Sequence, residues 1–433
     1  MVTMVRSLML SRLDLRGTNA DLSPLTARGD AFDASAVEGV RAIIAEVRGR
    51  GDAALHDLTE QFDGCTIDEL RVPGDELLAA LEGAPAEFRA ALEYAREEVT
   101  AYHEAQLGDD VRLERDGVLL RELVVPVDRA GLYVPGGRAT YPSTVLMTAI
   151  PARVAGVPEI ALCVPPDPDG RVPQATLAAA ALVGVDEVYR VGGAQAIAAL
   201  AYGTETIRPV DVIVGPGNRY VTAAKREVAG IVGIESLAGP SELVVVADET
   251  ADPAMVAADL VAQAEHGPDG AAILVTWDEA VADAVDEAVG KLTAEAPRRA
   301  EIEATLESGG RTVLVDAPDM AVEAANAIAP EHLELITADP ESLLPVVRNA
   351  GAVFCGPWSP AAVGDYVAGV NHVLPTARTA RFASALRVDT FRKHVHVVTL
   401  DQAALARVAP YVRAFAEMEG LDAHGRSVEL RGT

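Results

Sequence analysis

Four short stretches of this chain set proton-moving and metal-binding side chains close together. The run "LVAQAEHGPDG" (260–270) ends an alanine-rich helical pattern with Gln263, Glu265 and His266, just before a Gly-Pro-Asp-Gly breaker. Gln263 and His266 are three residues apart, so one helix face carries both and they can converge on one ion or ligand. A helix C-terminus that wants polar partners would also explain them. "APEHLEL" puts Glu331 beside His332 directly before a strand-like run. A carboxylate next to an imidazole can divide the work of base and water activation, although a solvated loop would look the same. "VGDYVAGVNHVLPT" supplies Asp365 and His372, and "EMEGLDAHG" supplies Glu419 and His424. Two histidines, an aspartate and a carboxamide form a plausible site for zinc, manganese or iron. Their scatter along the chain differs from the short fixed spacing of a zinc finger and suggests an open, catalytic site.

Those side chains need a scaffold, and the chain's periodicity describes one. Residues 34–106 show apolar positions recurring at three and four, the pattern of helices. "DVRLERDGVLLRELVVPVD" alternates around Asp116-Gly117, a hairpin signature. From residue 131 short β-rich runs alternate with helix-like stretches, and a second such series begins at 241. Alternation of this kind means βαβ units and parallel sheets covered on both faces. The expected fold is therefore α/β: two Rossmann-like, doubly wound domains with mainly parallel sheets, plus N-terminal helices and a small helical C-terminal tail. The expected divisions are an arm over 1–27, a helical segment over 28–127 packing on the second α/β domain, a first Rossmann-like domain over 128–240, a second over 241–378, and a dimerisation tail over 379–433. In such sheets ligands bind beyond the carboxyl ends of the strands, and the polar clusters are expected at or near those ends. The turns "VGGAQA" and "VGPGNRY" could let backbone N–H groups approach a phosphate, although neither is a G-x-G-x-x-G.

Composition narrows the partners. A chain of 433 residues is long enough for more than one core, and its formal charge of −29 argues against nucleic acid or an anionic membrane. Arg6 and Arg12 interrupt the apolar runs at the N-terminus, which leaves no signal-peptide core, and no run approaches the length of a membrane helix. Three cysteines, Cys65, Cys163 and Cys355, give no disulfide framework, so a reducing cytoplasm fits best. Of the three lysines none lies in a phosphate-loop motif, and Lys225 reads as a solvated surface residue. His56, His103, His394 and His396 read as packing residues. A cysteine nucleophile that traps an aldehyde is the competing chemistry, with Cys355 better placed than Cys163, which lies in an apolar strand. A two-domain protein closing on a small ligand is the non-enzymatic alternative.

"GLYVPGGRATYPSTVLM", "GPGNRYVTAAKREV", "AGPSELVVVAD", "DLVAQAEHGPDG", "PEHLEL" and "VGDYVAGVNHVLPT" occur in the order seen in histidinol dehydrogenases, and the likeness runs from about residue 30 to "EGLDAHG". The resemblance implies an NAD-linked, four-electron oxidation of L-histidinol through L-histidinaldehyde to L-histidine. It implies one Zn2+ per subunit, held by Gln263, His266, Asp365 and His424, with Glu331 and His332 as the catalytic pair. Around the substrate it implies Ser241, Gln263, His266, His332, Asp365, His372, Glu419 and His424. Tyr133, Gln195 and Asn218 match positions that touch NAD. A homodimer is implied as well, in which the tail of one chain completes the site of the other.

Overall fold

The computed structural model describes residues 9–17, 21–26, 34–108, 111–136, 140–237, 239–267 and 269–431. Strand β1 (Ser11–Asp14) is followed by helices α1 (Ala34–Arg50), α2 (Asp52–Asp63), α3 (Gly74–Gly83) and α4 (Ala86–Glu104), then by the hairpin β2 (Arg112–Arg115) and β3 (Val118–Pro126). At its tip Asp116 and Gly117 have φ of 50° and 78°, as a two-residue hairpin turn requires.

The first α/β unit runs β4 (Arg129–Tyr133), α5 (Pro142–Ala155), β5 (Glu159–Val164), α6 (Gln174–Leu182), β6 (Glu187–Arg190), α7 (Gly193–Tyr202), β7 (Val212–Val214), α8 (Arg219–Val228) and β8 (Gly233–Ile234). Its strands are all parallel, in the order β6-β5-β4-β7-β8. The second unit runs β9 (Glu242–Ala247), α9 (Pro253–Ala264), β10 (Ala271–Thr276), α10 (Glu279–Glu295), α11 (Arg299–Gly309), β11 (Gly310–Leu314), α12 (Pro318–Ile328), β12 (His332–Ile336), β13 (Ala352–Cys355) and α13 (Ala361–Tyr366). The order β11-β10-β9-β12-β13 repeats the first sheet's topology, and the doubly wound expectation holds for both units. In each unit the winding reverses beside the first strand, between β4 and β7 and between β9 and β12.

Three expectations change. The helical segment packs on the first α/β unit rather than the second. Leu77, Leu92 and Val99 share a core with Leu132, Leu146 and Leu177, while Val40, Val47 and Leu55 join Tyr133, Ile197 and Val221. The alanine-rich surfaces of α6 and α7 let these helices approach closely, a partnership between distant segments that local periodicity does not encode. The described part of the arm is not free either. β1 adds a parallel edge strand beside β11, and the backbone N–H groups of Met9 and Leu10 donate to Asp286. Finally, the tail is not wholly helical: after two short 3-10 turns, Thr379–Arg381 and Val388–Phe391, it forms a strand. β14 (Arg392–Leu400) pairs antiparallel with β3 along nine residues, because "RKHVHVVTL" is a β-branched, alternating run. His394 lies on this strand 2.9 Å from Glu122, and His396 is exposed. Only then come α14 (Gln402–Glu419) and α15 (Asp422–Glu429).

The β9–β12 register sets the direction of a candidate catalytic side chain. His332 stands opposite Leu243, and Leu243 to Val246 are buried throughout. Each such side chain contributes ~1.5–3 kcal/mol on burial. A slip of one residue would turn His332 to the other face, so the apolar core fixes where the imidazole points.

Candidate active site

Ser241 immediately precedes β9, Glu331 precedes β12, and His332 is the first residue of β12. Gln263 occupies the penultimate position of α9, a helix that returns from the carboxyl end of β9 to the amino end of β10. The cluster therefore sits at the amino ends of the second sheet, not at the carboxyl ends where sequence reasoning put it. The carboxyl ends of the first sheet carry Tyr133, Gln195 and Asn218.

Glu331 is the centre of the cluster. Its Oε2 accepts from Ser241 Oγ at 2.5 Å and from the Glu242 backbone N–H at 3.1 Å, and it lies 3.5 Å from His332 Nδ1. Ser241 Oγ is also 3.3 Å from Gln263 Oε1. His332 Nε2 lies 3.6 Å from the Asp365 carboxylate, so the ring stands between two acids. Burial works against its charged form, but Glu331 and Asp365 outweigh burial and push its pKa up to about 9. Burial raises the Glu331 carboxyl, with His332 opposing. For Asp365 burial is overcome by the histidines around it, His332 first, and its pKa falls. His372 is held neutral by burial; its Nδ1–H donates to the Asp365 carbonyl at 2.8 Å, and its Nε2 accepts from Thr144 Oγ1 at 3.2 Å. Thr144 belongs to α5 of the first unit, so this contact joins the two units at the site.

The backs of these residues are tied together. His332 and Glu334 share a face of β12, the face covered by α9 and α13. Glu334 Oε1 accepts from the Ala361 backbone N–H at 2.7 Å, and Glu334 lies beside Asp259 on α9, whose charge adds to burial in raising its carboxyl. This pair links the strand of His332 to the helices of Gln263 and Asp365. Sequence reasoning passed over Glu334, Asp259 and Thr144. The two-residue spacing of "EHLE" was the available signal for Glu334, whereas Asp259 and Thr144 carried none.

Three of the four expected metal ligands, Gln263, His266 and Asp365, lie at this cluster. Gln263 is buried, and its Nε2 has no hydrogen-bond partner. Asp365 is held ionised. His266 Nδ1–H donates to the Gln263 carbonyl at 3.3 Å, which leaves Nε2 with its lone pair outward. The structure does not bring in Glu419 or His424, which are exposed on the tail, where α15 packs against α14. Among the described residues no three His, Cys, Asp or Glu side chains are close enough together to hold a metal. The reason is that Gln263 is an amide and His424 lies elsewhere.

The residues expected to touch NAD divide similarly. Asn218 is exposed at the N-cap of α8, its Oδ1 accepting from Tyr220 N and Val221 N. Tyr133 and Gln195 are buried, and the Tyr133 hydroxyl accepts from Gly193 N at 3.1 Å. Cys163 is fully buried and its thiol is pushed up to about 12. Cys355 closes β13 at the opposite end of the sheet from His332, and burial raises its thiol too. Neither sulfur is set for nucleophilic attack.

The sequence model of the histidinol dehydrogenase family matches residues 26–432. The chain belongs to the histidinol dehydrogenase family. It is thus an oxidoreductase. A histidinol dehydrogenase of Rhizobium meliloti (strain 1021) is 51% identical over 409 residues, covering 94% of each chain. That of Parasynechococcus marenigrum (strain WH8102) is 48% identical over 420 residues, 96% of each. The crystal structure of histidinol dehydrogenase from Elizabethkingia anophelis superposes with a TM-score of 0.94 at 35% identity, covering 98% of both chains. No helix among the described residues is long and apolar enough to cross a membrane.

Proposed function

We propose that this protein oxidises L-histidinol through L-histidinaldehyde to L-histidine with two NAD, the last steps of histidine biosynthesis, as a cytoplasmic homodimer with one Zn2+ per subunit. The observation that carries the reading is the Ser241–Glu331–His332–Asp365 constellation, joined through the Thr144–His372 contact to the carboxyl ends of the first sheet. When bound, NAD would accept the two hydrides, and zinc held by Gln263, His266, Asp365 and His424 would fix the substrate's amine and imidazole nitrogens.

The chain's own groups do the proton chemistry. His332 takes the carbinol proton, and the carboxylates on either side stabilise the imidazolium that forms. The flanking acids make His332 a stronger base than an isolated imidazole, one that must be neutral when substrate arrives. Glu331 keeps Oε2 on Ser241 and Glu242, and Oε1 is the oxygen that strips a proton from water adding to the aldehyde. His372, Ser241 and Glu419 bind the substrate. Tyr133, Gln195 and Asn218 serve the dinucleotide, with the first two acting from beneath its surface.

What supports the homodimer is the tail. Phe415 and Met418 on α14 are 70% and 87% exposed, and Tyr411, Leu421 and Leu430 are exposed on the same tail. A second chain receiving this surface would bring Glu419 and His424 to its site. The test is stoichiometry. Two NADH should form per histidinol, with histidinal held on the enzyme. One NADH, with aldehyde accumulating in solution, would mean a simple alcohol dehydrogenase.

A further inference from the structure

An ion pair that the proton chemistry does not use lies beneath the Gly-Pro-Gly-Asn turn after β7. Lys225 was expected at the surface, but its side chain is 2% exposed, and that of Glu235 is 3% exposed. Lys225 lies four residues beyond Val221 and three before Val228, on the buried face of α8. Lys225 Nζ donates to Glu235 Oε1 at 2.6 Å and to the Gly215 carbonyl at 3.1 Å. The same Glu235 Oε1 accepts from the Gly215 N–H at 2.8 Å. Both peptide groups of one glycine are thus held by one pair of side chains. Gly215 needs holding. Its φ is +122°, and a Cβ there would stand 2.0 Å from the Tyr133 carbonyl oxygen.

We infer that Lys225 and Glu235 are positioning residues for the nicotinamide cofactor: by clipping Gly215 they fix the 215–218 turn that presents Asn218 and the N-terminus of α8. The inference rests on the proposed reading of that turn as part of the NAD site. A buried ion pair is seldom more stable than an apolar pair of equal volume. An apolar pair, however, could supply neither an acceptor for the Gly215 N–H nor a donor for its carbonyl. Glu235 directly follows β8, so the clip ties the 215–218 turn to the edge strand of the first sheet. Its Oε2 is buried and has no hydrogen-bond partner, which leaves one oxygen serving both donors.

Lys225→Met and the double variant Lys225→Met/Glu235→Gln separate positioning from plain stability. Lys225→Met should weaken NADH binding about tenfold or more by calorimetry and raise the KM for NAD in step, while kcat at saturating NAD changes by less than about threefold. Its thermal midpoint should fall, because the buried Glu235 carboxyl loses its partner cation. The double variant removes that carboxyl and should recover the midpoint, but NADH binding should stay weak because the Gly215 carbonyl still lacks its donor. Recovery of affinity together with stability would overturn the inference and leave a structural pair. Wild-type NADH affinity in Lys225→Met would overturn it as well. Asn218→Ala tells the two failures apart. If it weakens NADH binding while Lys225→Met does not, only the clip is wrong; if neither changes binding, the reading of the turn falls too. Should both Lys225 variants fail to fold, amide exchange of the wild-type protein decides. NADH should slow exchange at 215–221 and also at 233–237, and slowing confined to the first segment would refute the clip.

Discussion

Replacing Glu334 by glutamine should make the protein more stable at alkaline pH, and the size of the gain can be worked from the structure. Glu334 is 1% exposed. Burial first, and then the neighbouring Asp259, push its carboxyl from 4.5 to about 8. The folded protein therefore keeps a proton on Glu334 at a pH where the unfolded chain has released it. Stability linked to this group is complete below about pH 4.5 and falls as pH rises, until the folded carboxyl has ionised near pH 8. At ~1.36 kcal/mol per tenfold displacement, the full shift bounds the loss at ~5 kcal/mol. Asp259 is only partly buried and shares the titration, so water screens the pair and about 2–3 kcal/mol is the expected loss. A glutamine keeps an oxygen for the Ala361 N–H and offers an amide N–H to Asp259, without ever ionising. Urea unfolding from pH 5 to 9 provides the assay. Wild type minus Glu334→Gln should drift by about 2–3 kcal/mol in favour of the variant as pH rises. Parallel pH profiles, or a variant less stable at pH 9, would refute the raised Glu334 carboxyl.

The remaining expectations concern the chemistry. His332→Ala should slow both oxidations by about 10²–10⁴, while Glu331→Gln should mainly slow the second, the only step that needs activated water; equal effects in stopped-flow traces of the two NADH would refute that division. Metal removal, followed by elemental analysis, should abolish oxidation with little change in the circular dichroism spectrum, because the proposed ligands lie outside the cores; full activity without metal would end the zinc assignment. Cys163→Ala and Cys355→Ala should keep most activity, and a loss beyond about a hundredfold, ~2.7 kcal/mol of barrier, would revive the thiol mechanism. Mixing inactive His266→Ala and His424→Ala proteins under subunit exchange should restore about a quarter of the sites if each site draws one residue from each chain; no recovery, with exchange shown by mass, would mean the two residues act within one chain.

Much of this arrangement was legible in local patterns, and what was missed lay between distant segments. The alternation of β-rich and helical runs located the strands of both sheets, and "PEHLEL" located the Glu331–His332 pair at the centre of the polar cluster. Which end of a strand faces the site is not written in the strand, however, so the general preference for carboxyl ends misled. The partner of the N-terminal helices depends on surfaces far apart in the chain. "RKHVHVVTL" was readable as a strand by its alternation, but the helical runs after it coloured the whole tail. Lys225 was misread through its charge. Its spacing from Val221 and Val228 already set it on the apolar stripe of α8, where a lysine has to find an acid.

The two units use one topology with opposite polarity, and helix electrostatics accounts for the difference. At the carboxyl ends of the first sheet, α7 and α8 begin, and a helix N-terminus carries partial positive charge, suited to a dinucleotide's phosphates. At the amino ends of the second sheet α9 finishes, with Gln263 at its last turn and His266 just beyond. A helix C-terminus carries partial negative charge and favours cations, by ~0.3–1 kcal/mol at an exposed site and up to ~2 kcal/mol when partly buried. Asp365 and Glu331 reinforce that sign. The proposed occupants there are cationic: a metal ion, the substrate's ammonium and the imidazolium of His332. The Thr144–His372 contact brings the two ends together, so an anionic cofactor and a cationic substrate bound there would each meet the field that suits it. A site at the carboxyl ends of both sheets would have offered helix N-termini to both ligands, the wrong sign for the substrate.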